Sequence, residues 1–218
     1  NRAAYLALWM LVPVSLIAIF VAGYTRAAID STVTAQGGSD AYVTKLDSDG
    51  NFVYSKQFGS AGEDRATAIA VDNAGSFFVA SEVNGNAIVR KYTDEASSQT
   101  PLWEHDLGAL GTDGEITGIA LGSAGNVFVS GSSDNGALSG TVAQAHSGGG
   151  RDAFVAQISD AGASASAGFI SYVGSAGDDT AKGIAVNAST DDIYITGGTT
   201  GGIDGGGAAA AQDYYAAR

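Results

Sequence analysis

Hydrophobic residues follow two different patterns along this chain of 218 residues. Residues 3–23 form a continuous apolar run that contains no charged residue. After residue 38, short runs of alternating apolar and polar residues are separated by turns rich in Gly, Asp and Asn. A long uncharged run is typical of a membrane-spanning helix, and alternation with period two is typical of strands that bury one face. The pattern therefore predicts one helix followed by an all-β region.

The apolar run predicts a transmembrane or assembly helix over residues 1–24, followed by a linker over residues 25–38. A helix of the 21 residues from Ala3 to Gly23 would span roughly 31 Å, which matches the hydrocarbon core of a bilayer. The run is longer than the apolar core of a cleaved signal peptide. The candidate functional residues in this segment are interfacial aromatics, a proline kink and small residues for helix packing: Tyr5, Trp9, Tyr24, Pro13, Ser15, Ala18 and Ala22.

The alternating region repeats itself. Each copy has an opening strand, a second strand, a glycine-rich turn and two further strands. The opening strands are "DAYVTKLD" at Asp40, "NAIVRKYT" at Asn86 and "DAFVAQIS" at Asp152. The turns are "FGSAGED" at Phe58, "LGALGTD" at Leu107 and "VGSAGDD" at Val173. Four short strands per copy are typical of a β-propeller blade.

The predicted fold is therefore a β-propeller of four-stranded antiparallel blades, with a β-sandwich or a β-solenoid as the alternative. Three full blades cover about residues 39–85, 86–150 and 151–212. The final "DYYAAR", residues 213–218, matches an opening strand and is predicted to start an incomplete blade. Because a propeller ring needs about four to eight blades, we expect the natural protein to continue past Arg218.

The third copy, "DAFVAQI…GFISYVGSAGDDTAKGIAVNASTDDIYITGGT", resembles the SBBP-type bacterial β-propeller repeat. The resemblance covers about residues 38–218 and is looser in the second copy, where Leu121 and Gly122 replace a Val-Asp pair. It implies an exported propeller at the cell surface or in the periplasm. It implies no reaction, because this family is recognised by scaffold residues and not by a shared active site.

The composition excludes some classes of chemistry and of binding partner. The chain has no cysteine, which excludes disulfides and thiol catalysis. A net charge of −13 argues against a nucleic-acid partner, since a phosphate backbone needs a basic surface. The two histidines, His105 and His146, cannot build an ordinary closed zinc site without carboxylates. We interpret His105 as an exposed strand residue and His146 as part of a flexible loop.

The acidic motifs favour structural roles. "DSDGN" at Asp47 lacks the Gly and Glu that a calcium-binding loop places at its sixth and twelfth positions, and it predicts a hairpin turn. The pairs Glu63/Asp64 and Asp178/Asp179 follow equivalent glycine turns, with Asp113 in the middle copy. Their recurrence favours carboxylates that accept backbone N–H bonds in turns. No catalytic residue, metal site or cofactor is predicted.

These features predict a non-enzymatic propeller anchored by a single pass in the bacterial inner membrane, with its β region on the periplasmic or extracellular side. It would be a structural or protein-interaction subunit of a larger membrane complex, for example a photosynthetic or respiratory one. Its partners would be membrane lipid, other transmembrane subunits and proteins that dock on the propeller. One alternative is a pilin-like filament subunit. Another is an enzymatic, ligand-binding or carbohydrate-binding propeller whose site lies in missing blades.

Overall fold

The computed structural model describes residues 18–202 and 213–217, and this part of the chain is all-β. Its strands are short, and most are joined by tight turns. In chain order the strands are β1 (Ile19–Thr25), β2 (Asp40–Leu46), β3 (Phe52–Phe58), β4 (Asp64–Val71), β5 (Phe77–Val83), β6 (Asn86–Tyr92), β7 (Trp103–Ala109), β8 (Glu115–Leu121), β9 (Asn126–Ser133), β10 (Thr141–Gln144), β11 (Asp152–Asp160), β12 (Ala165–Val173), β13 (Asp179–Asn187), β14 (Asp192–Thr199) and β15 (Asp213–Ala217).

The strands form four separate sheets. Sheet I has the order β1-β2-β3, sheet II β4-β5-β6-β7, sheet III β10-β12-β11-β9-β8, and sheet IV β13-β14-β15. Sheets that follow one another in the chain contact each other, through β1 and β4, β4 and β8, and β8 and β13. The β-propeller prediction is wrong, because the sheets formed by residues 18–202 and 213–217 remain separate and do not close into a ring. The strand pattern encodes pairing within each sheet, whereas ring closure depends on contacts between distant sheets.

The prediction of a transmembrane helix is also wrong. Ile19–Thr25, the end of the predicted helix, forms β1 and pairs antiparallel with β2. Within residues 18–202 and 213–217, no helix is long and apolar enough to cross a membrane, so the predicted single-pass membrane location has no support. β1 is apolar on both faces, and such a strand resembles a helical segment in its hydropathy. Residues 1–17 lie outside the described part of the chain.

The structure shows that β1 is a further copy of a repeated strand. β1, β5, β9 and β14 each pair antiparallel with a strand that matches the opening strand of a copy, namely β2, β6, β11 and β15. The sequence of β1, IFVAGYT, matches FFVASEV of β5. In addition, β4, β8 and β13 each carry a bulge at the same position, between Ala66 and Ala68, Ile116 and Gly118, and Ala181 and Gly183. The repeat therefore begins within the apolar run.

Apolar side chains between consecutive sheets form the core. The cluster between sheets II and III includes Phe78, Trp103 and Phe154, all buried. The cluster between sheets I and II contains Phe77 and Tyr92, whose rings stack with centroids 5.3 Å apart. Burial of a large apolar side chain contributes roughly 1.5–3 kcal/mol, so these two interfaces hold the sheets together.

A buried polar contact also joins sheets II and III. Asp160, at the end of β11, accepts a hydrogen bond from Lys91 Nζ of β6 at 2.5 Å and from Trp103 Nε1 of β7 at 2.8 Å. The side chains of Lys91 and Asp160 are only 8% and 9% exposed. Burial raises the pKa of the Asp160 carboxyl, but the hydrogen bonds from Lys91, Trp103 and the Gly162 N–H, together with the Lys91 charge, bring the pKa below the ordinary value.

We expect Asp160→Asn to reduce the free energy of unfolding by about 3 kcal/mol at neutral pH, because it leaves the buried Lys91 ammonium without its counter-charge. A lowered pKa contributes stability that is present above the ordinary aspartate pKa and lost as pH falls through the lowered one, so the difference should shrink at acid pH. Urea unfolding of both proteins at a series of pH values from neutral to acid measures this difference in the free energy of unfolding. In the control Glu115→Gln, which breaks the exposed pair with Lys182, the loss should stay within about 1 kcal/mol. Equal losses in both variants would contradict the assignment.

Candidate binding groove and carboxylate pairs

The structure places three of the residues predicted for the membrane segment. Ala18 is half-buried just before β1, and Ala22 of β1 packs against the core between sheets I and II. Tyr24 is 55% exposed, and the Arg65 guanidinium lies 5.1 Å from the centre of its ring. These three residues therefore lie on or beside a strand. The other predicted residues, Tyr5, Trp9, Pro13 and Ser15, fall outside the described residues.

The "DSDGN" motif is a hairpin turn, as predicted. Asp47 Oδ1 accepts the backbone N–H of Asp49 and of Asn51, both at 2.9 Å. Gly50 has a φ of +83°, a conformation that glycine adopts at little cost. Hydrogen bonds from the side chain and backbone of Asn51 lower the pKa of Asp47. No cluster of three or more His, Cys, Asp or Glu suited to a metal ion occurs within the described ranges.

Both histidines have structural surroundings that differ from the prediction. His105 is half-buried, and burial lowers its pKa while the nearby Asp106 raises it. His146, predicted to lie in a flexible loop, has both ring nitrogens engaged. Its Nε2 lies 3.1 Å from the carbonyl oxygen of Ser133, and its Nδ1 accepts the N–H of Gly148 at 3.0 Å. Because a carbonyl oxygen can only accept, Nε2 is the donor in the contact with Ser133.

Three of the predicted turn carboxylates accept backbone N–H groups, and one of them, Asp178, accepts that of Arg151 at 3.0 Å. Asp64 and Asp179 are the first residues of β4 and β13, and each receives bonds from the serine four residues earlier. Ser60 donates its N–H and its hydroxyl to Asp64. Ser175 donates its N–H at 2.6 Å and its hydroxyl at 2.8 Å to Asp179 Oδ2. The two aspartates therefore fix the glycine-rich turns, as the recurrence of the motif predicts.

Each of these aspartates has a second aspartate beside the same turn, which the sequence analysis missed. Asp40 opens β2 and Asp152 opens β11, and both are buried. A Cβ added to Gly59 would lie 2.6 Å from Asp40 Oδ1 and 2.8 Å from Asp64 Oδ2, so both carboxylates close on one glycine. A Cβ added to Gly174 would lie 2.3 Å from Asp152 Oδ1. The available signal is the Asp that begins both "DAYV" and "DAFV", where each strand starts.

The middle copy lacks this carboxylate pair. Asn86 opens β6 where Asp40 opens β2, and Gly114 stands immediately before β8, in the place that the shared bulge assigns to Asp64. Leu110 of the intervening turn is 1% exposed and belongs to the core between sheets II and III. An apolar turn thus replaces the two acids there. The repeat can therefore form this turn without a carboxylate pair.

An apolar groove lies between sheets III and IV. Phe128, Val155 and Ile195 are buried there, whereas their apolar neighbours are only partly covered. The groove has a volume of about 220 Å³. Its apolar lining consists of Val155, Phe169, Val173, Ile193, Ile195 and Ala217. Sheet III supplies this apolar lining from β11 and β12, and sheet IV supplies it from β14 and β15.

Comparison with known proteins gives a different relationship from the one that the repeat implied. No protein-family model matches the chain, so the assignment to the SBBP-type family is wrong. The chain is similar to the "Regulatory protein FlaEY" of Caulobacter vibrioides, with 27% identity over 232 residues. The match covers 92% of this chain but 24% of that protein, so the chain spans about a quarter of the length of this relative. The relative's name describes regulation and names no reaction.

Glycine substitutions can test how closely the Asp152 carboxylate packs against the turn at Gly174. Gly174→Ala should lower the free energy of unfolding by about 2 kcal/mol or more, because the new methyl group would overlap the Asp152 carboxylate. The matched control is Gly183→Ala in β13, where the nearest atom lies 3.4 Å from the added Cβ. There we expect a change within about 1 kcal/mol. Denaturant unfolding of both variants measures these free energies. Similar losses in the two variants would argue against a tightly enclosed carboxylate.

Proposed function

We propose that this chain is a non-enzymatic protein-interaction module of a regulatory protein. Its partner docks in the groove between sheets III and IV. The observation that carries this proposal is the partly uncovered apolar groove between sheets III and IV. A groove of this kind offers apolar contact to a segment of a partner protein.

The groove suits such a segment because Val173 and Ile193, which line it, are only partly buried at present. Apolar side chains of a partner would cover them. The predicted partner segment therefore carries apolar residues on the face that enters the groove.

The comparison supports the same class of function. The relative is named a regulatory protein, and regulation commonly acts through protein contacts. The filament alternative depended on an N-terminal helix, which is not a feature of the described chain.

A photo-crosslinking residue placed at Ile193 tests the site in cells of the source organism. We expect it to capture one discrete protein, and the same residue at Val71, which is 45% exposed on β4, to capture none. With the captured protein purified, Ile193→Lys should weaken binding at least about tenfold, because it places an ammonium in apolar contact.

Val71→Lys is the matched control and should leave this affinity unchanged. Thermal unfolding of both lysine variants confirms that each remains folded before binding is compared. Equal capture at positions 193 and 71, or full affinity of a folded Ile193→Lys variant, would show that the groove is not the docking site.

A further inference from the structure

Each residue position in the repeated strands faces a fixed side of the stack of sheets. The strands β1, β5, β9 and β14 pair with the opening strands in one common register. The last residue of each pairs with the first residue of its opening strand: Thr25 with Asp40, Val83 with Asn86, Ser133 with Asp152, and Thr199 with Asp213. Counting back from these residues therefore identifies equivalent positions in the four sheets.

The inner sheets show which side each position faces. In β5, Phe77 and Val79 lie in the core shared with sheet I, whereas Phe78 lies in the core shared with sheet III. In β9, the equivalent of Val79 is Val129, which lies in the core shared with sheet II. The equivalent of Phe78 is Phe128, which lies in the core shared with sheet IV. One set of positions thus faces the preceding sheet, and the alternate set faces the following sheet.

Sheet I, the first sheet of the described chain, exposes the set that faces a preceding sheet. Its residues in β1 are Ile19 and Val21, each 41% exposed. Leu46 lies opposite Ile19 in β2 and is half-buried. Gly23 shares the face of Val21, and a Cβ added to it would lie 2.9 Å from Tyr42 Oη, so the Tyr42 ring lies on this face too. We call Ile19, Val21, Tyr42 and Leu46 the sheet I end face.

Sheet IV, the last sheet of the described chain, exposes the complementary set. Tyr194 of β14 is the equivalent of Phe78 and Phe128 and is 44% exposed, whereas those two phenylalanines are buried. Thr196, two residues further along β14, is exposed, and so is Ala216, which lies opposite it in β15. We call Tyr194, Thr196 and Ala216 the sheet IV end face. It corresponds to the face with which sheets I, II and III cover the sheet that follows.

The two end faces match each other as neighbouring sheets of the stack do. We propose that two copies of this chain bind head to tail, with the sheet IV end face of one copy packed against the sheet I end face of the other. The occupant follows from the repeat, because a sheet that covers Ile19 and Val21 has to present the positions that sheet IV leaves exposed. None of the side chains in the two end faces is charged, so the contact buries no unpaired charge.

This contact is separate from the proposed docking groove and is open-ended. The groove lies between sheets III and IV, whereas the end faces lie on the outer sides of sheets I and IV. Each pair of copies still carries one free end face of each kind, so further copies can add at both ends. The expected product is therefore a series of complexes that lengthen as the concentration rises.

Sedimentation velocity of the purified chain over a range of concentrations tests the contact. We expect the mean mass of the unmodified chain to rise with concentration beyond that of a dimer. Val21→Glu and Tyr194→Glu should each weaken self-association at least about tenfold, because each places a carboxylate in the apolar contact. Val71→Glu adds the same charge on β4, at a residue that is 45% exposed, and should leave the association unchanged.

A mixture of the two variants identifies which faces meet. Val21→Glu retains an intact sheet IV end face, and Tyr194→Glu retains an intact sheet I end face. The mixture should therefore form a one-to-one complex with the affinity of the unmodified contact, and this complex should not grow further. A contact between two like faces would instead let one of the two variants dimerise alone and would give no mixed complex.

An unmodified chain that stays monomeric at every soluble concentration would overturn the proposal, and so would a mixture without the mixed complex. Equal weakening by a folded Val71→Glu variant would also overturn it. Thermal unfolding shows whether each variant is folded. If Val21→Glu or Tyr194→Glu does not fold, Ile19→Glu or Thr196→Glu replaces it at the same end face, and the same outcomes apply.

Discussion

The rest of the structure depends on one constraint: a sheet with two apolar faces must be covered on both sides. Strand β5 shows this most directly. Its alternate residues Phe77 and Val79 belong to the core between sheets I and II, whereas Phe78 and Ala80 belong to the core between sheets II and III. Sheet II is therefore stable only between two neighbours. The stacking of consecutive sheets follows from the repeat, because each copy supplies strands with the same two-sided pattern.

The same stacking buries polar groups at the sheet ends, and these groups are stabilised in two ways. Asp160 is neutralised by Lys91 and held by Trp103 across the interface of sheets II and III. Asp40 and Asp179 have no lysine or arginine contact within the described residues and accept backbone N–H groups of adjacent loops instead. A buried acid with a lysine beside it is stabilised by that charge, whereas these acids are stabilised by hydrogen bonds.

The groove between sheets III and IV is a further consequence of stacking. There the apolar faces meet, but Phe169, Val173 and Ile193 stay partly uncovered. Exposed apolar surfaces are suited to partner binding and are otherwise prone to aggregation. A role in protein contacts fits this surface and also fits the similarity to a protein named as a regulator.

The sequence by itself determined the strands, their repetition and the chemistry of the turns, because these depend on neighbours within a few residues. The turn at Asp47 and the serine-to-aspartate bonds at Ser60 and Ser175 are examples. Hydropathy could not separate β1 from the end of a helix, since a strand covered on both faces is as apolar as a membrane span. Only the tertiary structure decided that the sheets stay separate and that Asp40 meets Asp64 at Gly59. These features join residues far apart in the chain, through backbone geometry that local patterns do not contain.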